Sequence, residues 1–69
     1  MSHDRLVYMA NQIGKFFAHE KEDQAVAAIS DHIRKFWDPR MRKQILAELD
    51  TAELDPRVRR AVEQLKDPV

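Results

Sequence analysis

The sequence predicts an all-α protein, a small bundle of about four short helices that opens with an αα-hairpin. Three observations predict it. Apolar residues recur with helical periodicity along most of the chain. One glycine, Gly14, and three prolines among 69 residues leave few turns, which disfavours a many-turned β fold. All three prolines directly follow an aspartate, and at Pro39 and Pro56 the pair fits a capped helix start.

The first helix is expected from about Asp4 to His19, with Ser2 or Asp4 as its cap. Leu6, Met9, Ala10, Ile13, Phe16 and Phe17 fall on one face at about 100° per residue, and Asn11 and Lys15 lie opposite. A charged link, His19-Glu20-Lys21-Glu22-Asp23, follows, and Asp23 is the expected cap of the second helix. That helix carries Ala25, Val26, Ile29, Ile33, Phe36 and Trp37 on its apolar face, opposite Ala27, Asp31 and Arg34. So short a link makes the first two helices antiparallel neighbours.

Asp38-Pro39 ends the second helix and starts the third, because proline disfavours a helical residue before it and fits the first helical position. Met41, Ile45, Leu46 and Leu49 form its apolar side. The device returns at Asp55-Pro56, and Leu54, Val58, Ala61, Val62 and Leu65 make a narrow stripe on the last helix. Asp67-Pro68 is its expected end. Residues 1–69 read as one domain.

Hydrophobic residues at 43% and charged residues at 35% suit a folded amphipathic chain. Below roughly 70–80 residues, however, one apolar core seldom yields more than about 3–5 kcal/mol. The usual remedies are disulfides, a metal or a partner. The chain has no cysteine, so disulfides and iron–sulfur ligation are excluded, and a partner is the leading remedy. Twelve basic and twelve acidic residues cancel, which argues against a dedicated nucleic-acid binder. No apolar run approaches the roughly 20 residues that span a bilayer, and no signal-peptide pattern opens the chain. The expected location is cytoplasmic.

Little here points to catalysis. His3, His19 and His32 form no HExxH pair and share no helical spacing, so no metal site is expected. Ser30 and His32 are two apart on a helix and point different ways, which separates nucleophile from base. The carboxylates are scattered on polar faces, and there is no glycine-rich phosphate loop. The chain is read as no enzyme, with no catalytic, cofactor-binding or metal-binding residue.

Aromatic residues carry the stronger signal. Phe16-Phe17 and Phe36-Trp37 close successive helices, and adjacent helical residues diverge by about 100°. One member of each pair is expected in the core and the other at a partner. Trp and Arg most often anchor interfaces, so Trp37 with Arg40 is the expected anchor. Asn11 and Gln12 suggest amide hydrogen bonds to a partner backbone. Gly14 permits close approach of another chain or close packing on the second helix, at a helix cost of about 1 kcal/mol.

The run Leu6-Val7-Tyr8-Met9-Ala10-Asn11-Gln12-Ile13-Gly14-Lys15-Phe16-Phe17 resembles the LVxMANQIGxFF opening of the delta subunit of NAD-dependent formate dehydrogenase. His32-Ile33-Arg34-Lys35-Phe36-Trp37-Asp38-Pro39-Arg40-Met41-Arg42 resembles its HIxxFWxPRMR block, and Leu54 to Leu65 its weaker C-terminal pattern. The link Glu20–Asp23 departs from relatives, which often carry proline there. The resemblance implies an accessory subunit that assists assembly, cofactor insertion or stability. It implies a cytoplasmic alpha-beta-gamma-delta complex that oxidises formate and reduces NAD. Its large alpha subunit holds a molybdenum (or tungsten) bis-guanine-dinucleotide cofactor and iron–sulfur clusters, and other subunits hold FMN and further clusters. The large subunit is the expected partner. The candidate partner-binding residues are Met9, Asn11, Gln12, Phe17, His32, Phe36, Trp37, Arg40, Met41 and Arg42.

Two other readings stand beside it. Arg40–Lys43 and Arg57–Arg60 are basic clusters suited to a nucleic-acid backbone, although Glu48, Asp50, Glu53 and Asp55 lie between them. A self-sufficient homodimeric bundle is the other.

Overall fold

The computed structural model of the chain describes residues 2–66, with side chains from residue 5 onward. Four helices follow one another: α1 (Ser2–Phe16), α2 (Glu22–Phe36), α3 (Pro39–Ala47) and α4 (Pro56–Glu63). The all-α class is as the sequence predicts, with no strand among the described residues. The expected caps of α1 and the Asp67-Pro68 terminator lie outside the described side chains.

α1 ends at Phe16, three residues before the expected His19. Its last turn tightens instead, with the Ala18 N–H donating to Lys15 O at 3.2 Å and the Glu20 N–H to Phe17 O at 3.1 Å. α2 starts before the expected cap. Lys21 holds the extended N-cap backbone and accepts the first helical bond, from the Ala25 N–H at 2.7 Å. Asp23 is therefore inside the first turn with Glu22, where carboxylates favour the positive end of the helix dipole without capping it.

The two Asp-Pro starts behave differently. Asp38 Oδ1 accepts from the Met41 N–H at 2.9 Å, with Pro39 in the first turn, a side-chain N-cap as predicted. Asp55 also precedes its helix, but its carboxylate makes no cap bond. Its backbone N–H donates to Asn11 Oδ1 at 3.0 Å.

The core joins all four helices. Val26, Ile29 and Ile33 of α2, Ile45 of α3, and Val58 and Val62 of α4 are its largest fully buried side chains. Burying each stabilises by about 1.5–3 kcal/mol relative to exposure. α2 packs chiefly on α4, while α1 leans on α3 and α4 and touches α2 less. The narrow stripe of α4 is thus the centre of the packing: Val58, Ala61, Val62 and Leu65 are buried, as is Leu54 before it.

Trp37 corrects the sequence reading. It is only 5% exposed and belongs to the core cluster, not to an exposed anchor. The chain leaves α2 here with an extended backbone (φ −92°, ψ 139°), while the Trp37 N–H still donates to Ile33 O at 2.9 Å. Its neighbour Phe36 takes the outward position.

Candidate partner-binding surface

The ends of α1 and α2 bring four rings into a row. Phe16 meets Phe17 edge-on with ring centroids 5.0 Å apart. Phe17 meets His32 at 6.4 Å, and His32 lies against Phe36 at 4.6 Å. These are distances at which aromatic pairs attract beyond simple burial. The row ends in solvent on both sides, because Phe16 is 73% and Phe36 72% exposed. Gln12, Ile13, Phe16, Phe17 and His32 line an open cleft of about 260 Å³ beside it.

Helical spacing extends this surface along α1. Tyr8, Gln12 and Phe16 recur at intervals of four and all three are exposed, Tyr8 at 64%. Met9, Ile13 and Phe17 form the parallel row beneath them, half-buried against the core. The sequence reading missed Tyr8 and Phe16 as surface residues. Phe16 was assigned to the apolar face, yet its spacing from exposed Gln12 already set it on the outer side.

Asn11 is the second correction. Its amide was expected to bond a partner's backbone, but it bonds this chain's own. Nδ2 donates to Glu53 O at 2.9 Å and Oδ1 accepts from the Asp55 N–H at 3.0 Å. One side chain on α1 thereby satisfies two main-chain polar groups of the turn that enters α4. Gly14 is buried where α1 crosses α4, so it packs against α4, not the second helix.

In the second arginine cluster the side chains are engaged within the chain, while Arg40 and Lys43 of the first are exposed. Arg57 donates to Ala18 O at 2.9 Å and Glu20 O at 3.2 Å, closing the α1–α2 link. Arg59 donates to Leu49 O and to Ala52 O, bracing the loop between α3 and α4. Arg60 pairs with Glu22. Arg42 donates to Arg34 O at 3.5 Å and lines a separate groove with Arg34, Pro39, Lys43, Leu46 and Leu65. Arg57–Arg60 therefore do not form the free basic strip that a nucleic-acid backbone requires.

The structure thus brings Gln12, Phe17, His32 and Phe36 together, with Met9 one turn from the cleft. It buries Trp37 and engages half-buried Asn11 with this chain's own backbone. Arg40 is exposed at the start of α3, and Met41 there is half-buried against the core. Among the described residues, no three His, Asp or Glu side chains stand together as a metal site. Among the same residues, no buried side-chain nitrogen or oxygen lacks a hydrogen-bond partner. No helix among the described residues is long and apolar enough to cross a membrane. What remains is a surface of rings, amide and imidazole, suited to recognition by contact.

Searches of curated proteins and of solved structures gave no match. The sequence profile of the NADH-dependent formate dehydrogenase delta subunit family, FdsD, matches residues 5–62. That span contains α1 from Arg5, the aromatic row, both Asp-Pro starts and nearly all of α4. On that match the chain belongs to the NADH-dependent formate dehydrogenase delta subunit family.

Proposed function

We propose that this chain is a non-catalytic accessory subunit that binds the large catalytic subunit of a cytoplasmic formate dehydrogenase complex and supports its assembly, cofactor insertion or stability. The family match over residues 5–62 carries this reading. The exposed Tyr8, Phe16 and Phe36 support it, since so many open rings on one small domain mark a contact surface.

In this reading the other subunits hold the molybdenum cofactor, the iron–sulfur clusters, FMN and the NAD site. The donor set of this chain does not fit those groups. It has no cysteine for a cluster. It offers no glycine-rich loop for a dinucleotide phosphate.

The test is co-purification with a tagged large subunit, coupled to deletion of this chain. The expected result is retention of the chain and loss of assembled, active enzyme when it is absent. Recovery of a fully assembled, stable and active complex without it overturns the reading.

A further inference from the structure

The outer face of α1 is aromatic and cationic at once. From Arg5 to Phe17 the sequence holds two cations, Arg5 and Lys15, and no carboxylate, although the whole chain is neutral. Both cations are exposed, and on the helix they share the arc that presents Tyr8, Gln12 and Phe16. On the α2 side of the same surface, Lys35 is paired with Asp31 at 3.1 Å. Among the described side chains of α1, the charges beside the aromatic row are the two cations.

We infer that this face is the docking surface for an apolar pocket edged by carboxylates on the partner protein, with Phe16 and Phe36 as the inserted rings. The inference rests on the accessory-subunit reading and adds the face, the anchors and the partner's chemistry. Charge complementarity decides among occupants. A second copy related by a two-fold axis sets the same surface against itself, bringing Arg5 and Lys15 toward the other copy's cations. An acidic rim neutralises them and steers the encounter. Phe16 and Phe36 stand at the two ends of the row, with the cleft beside Phe17 and His32 between them. The partner therefore needs two apolar recesses, with room between them for the edge of an imidazole.

The test uses the formate dehydrogenase complex assembled with this chain and then stripped of it, immobilised through its large subunit, and the full-length chain in solution. Phe16→Ser and Phe36→Ser each weaken binding about tenfold or more, as buried aromatic anchors do. Arg5→Glu with Lys15→Glu slows association and removes the weakening of binding by salt. Glu63→Lys, on the exposed side of α4, leaves binding unchanged. The mutated side chains are exposed, and circular dichroism melting of each variant separates lost contact from lost fold.

If the unaltered chain fails to bind, the accessory-subunit reading itself falls. If it binds and both phenylalanine variants bind equally well, this face is the wrong one. Binding that the charge reversal strengthens or leaves unchanged overturns the acidic rim. Sedimentation showing a dimer that Phe16→Ser dissolves assigns the face to a second copy. Capture of the unaltered chain by anionic phospholipid vesicles, lost in Phe16→Ser, assigns it to a membrane surface. Either result overturns the proposal.

Discussion

Gly14 on α1 and Val58 on α4 touch so closely that a methyl group on Gly14 would fall inside 3.0 Å of the valine side chain. Val58 is fully buried and β-branched, so it has little freedom to move aside. Gly14→Ala improves helix propensity by about 1 kcal/mol, while overpacking costs about 1–3 kcal/mol. The clash wins, and the expected result is a net loss of about 1 kcal/mol, or about 4–8 °C in Tm. The double variant Gly14→Ala with Val58→Ala measures the coupling. The cycle must show that alanine at position 14 is tolerated better once Val58 is shortened.

Asn11→Ala removes both bonds to the turn before α4. At about 0.5–1.5 kcal/mol each, the loss is about 1–3 kcal/mol by thermal or urea denaturation. Partner affinity measured well below the melting transition is expected to stay the same, because both ends of the amide are bonded to this chain's own backbone. A strong loss of affinity in a fully folded Asn11→Ala variant would return this residue to the interface.

Trp37 and Phe36 are neighbours with opposite expectations. Trp37→Ala opens a cavity and costs about 3–5 kcal/mol, enough to unfold a domain this small. Phe36→Ala changes stability by no more than about 0.5 kcal/mol. Fluorescence gives an independent check, since the single indole is expected to resist acrylamide quenching in the isolated chain. Ready quenching of the folded protein would place Trp37 outside.

The paired Asp-Pro starts allow an internal comparison. Asp38→Ala is expected to cost about 1 kcal/mol, the usual loss of a side-chain cap. Asp55→Ala is expected to cost a few tenths at most, because the bond at this position is made by its backbone, which alanine retains. Equal losses in chemical denaturation would contradict the geometry at one of the two starts.

The fold class was legible because periodicity and proline are local signals. The stripe of Val58, Ala61, Val62 and Leu65 named its buried face, and Asp38-Pro39 named a helix start to the residue. The partners of each face were less legible. Nothing within α1 says that Gly14 meets Val58, or that Asn11 reaches backbone 42 and 44 residues away. Helical phase put Trp37 on the apolar face beside Ile33, where it is buried; it was general preferences for tryptophan at interfaces that pointed it outward. Phe16 was placed with Phe17 on one face, although an aromatic residue next to another on one helix cannot share its direction.

Arg57 and Arg59 each span a loop and fasten two main-chain oxygens. A guanidinium keeps its proton throughout the range of acidity at which proteins work, and a carbonyl oxygen has none to lose. These clasps therefore grip equally in mildly acidic and mildly alkaline surroundings, unlike a bridge that depends on an ionised carboxylate. The α1–α2 link and the loop between α3 and α4 thus inherit a bracing indifferent to pH, and α4, which supplies both arginines, keeps its seat.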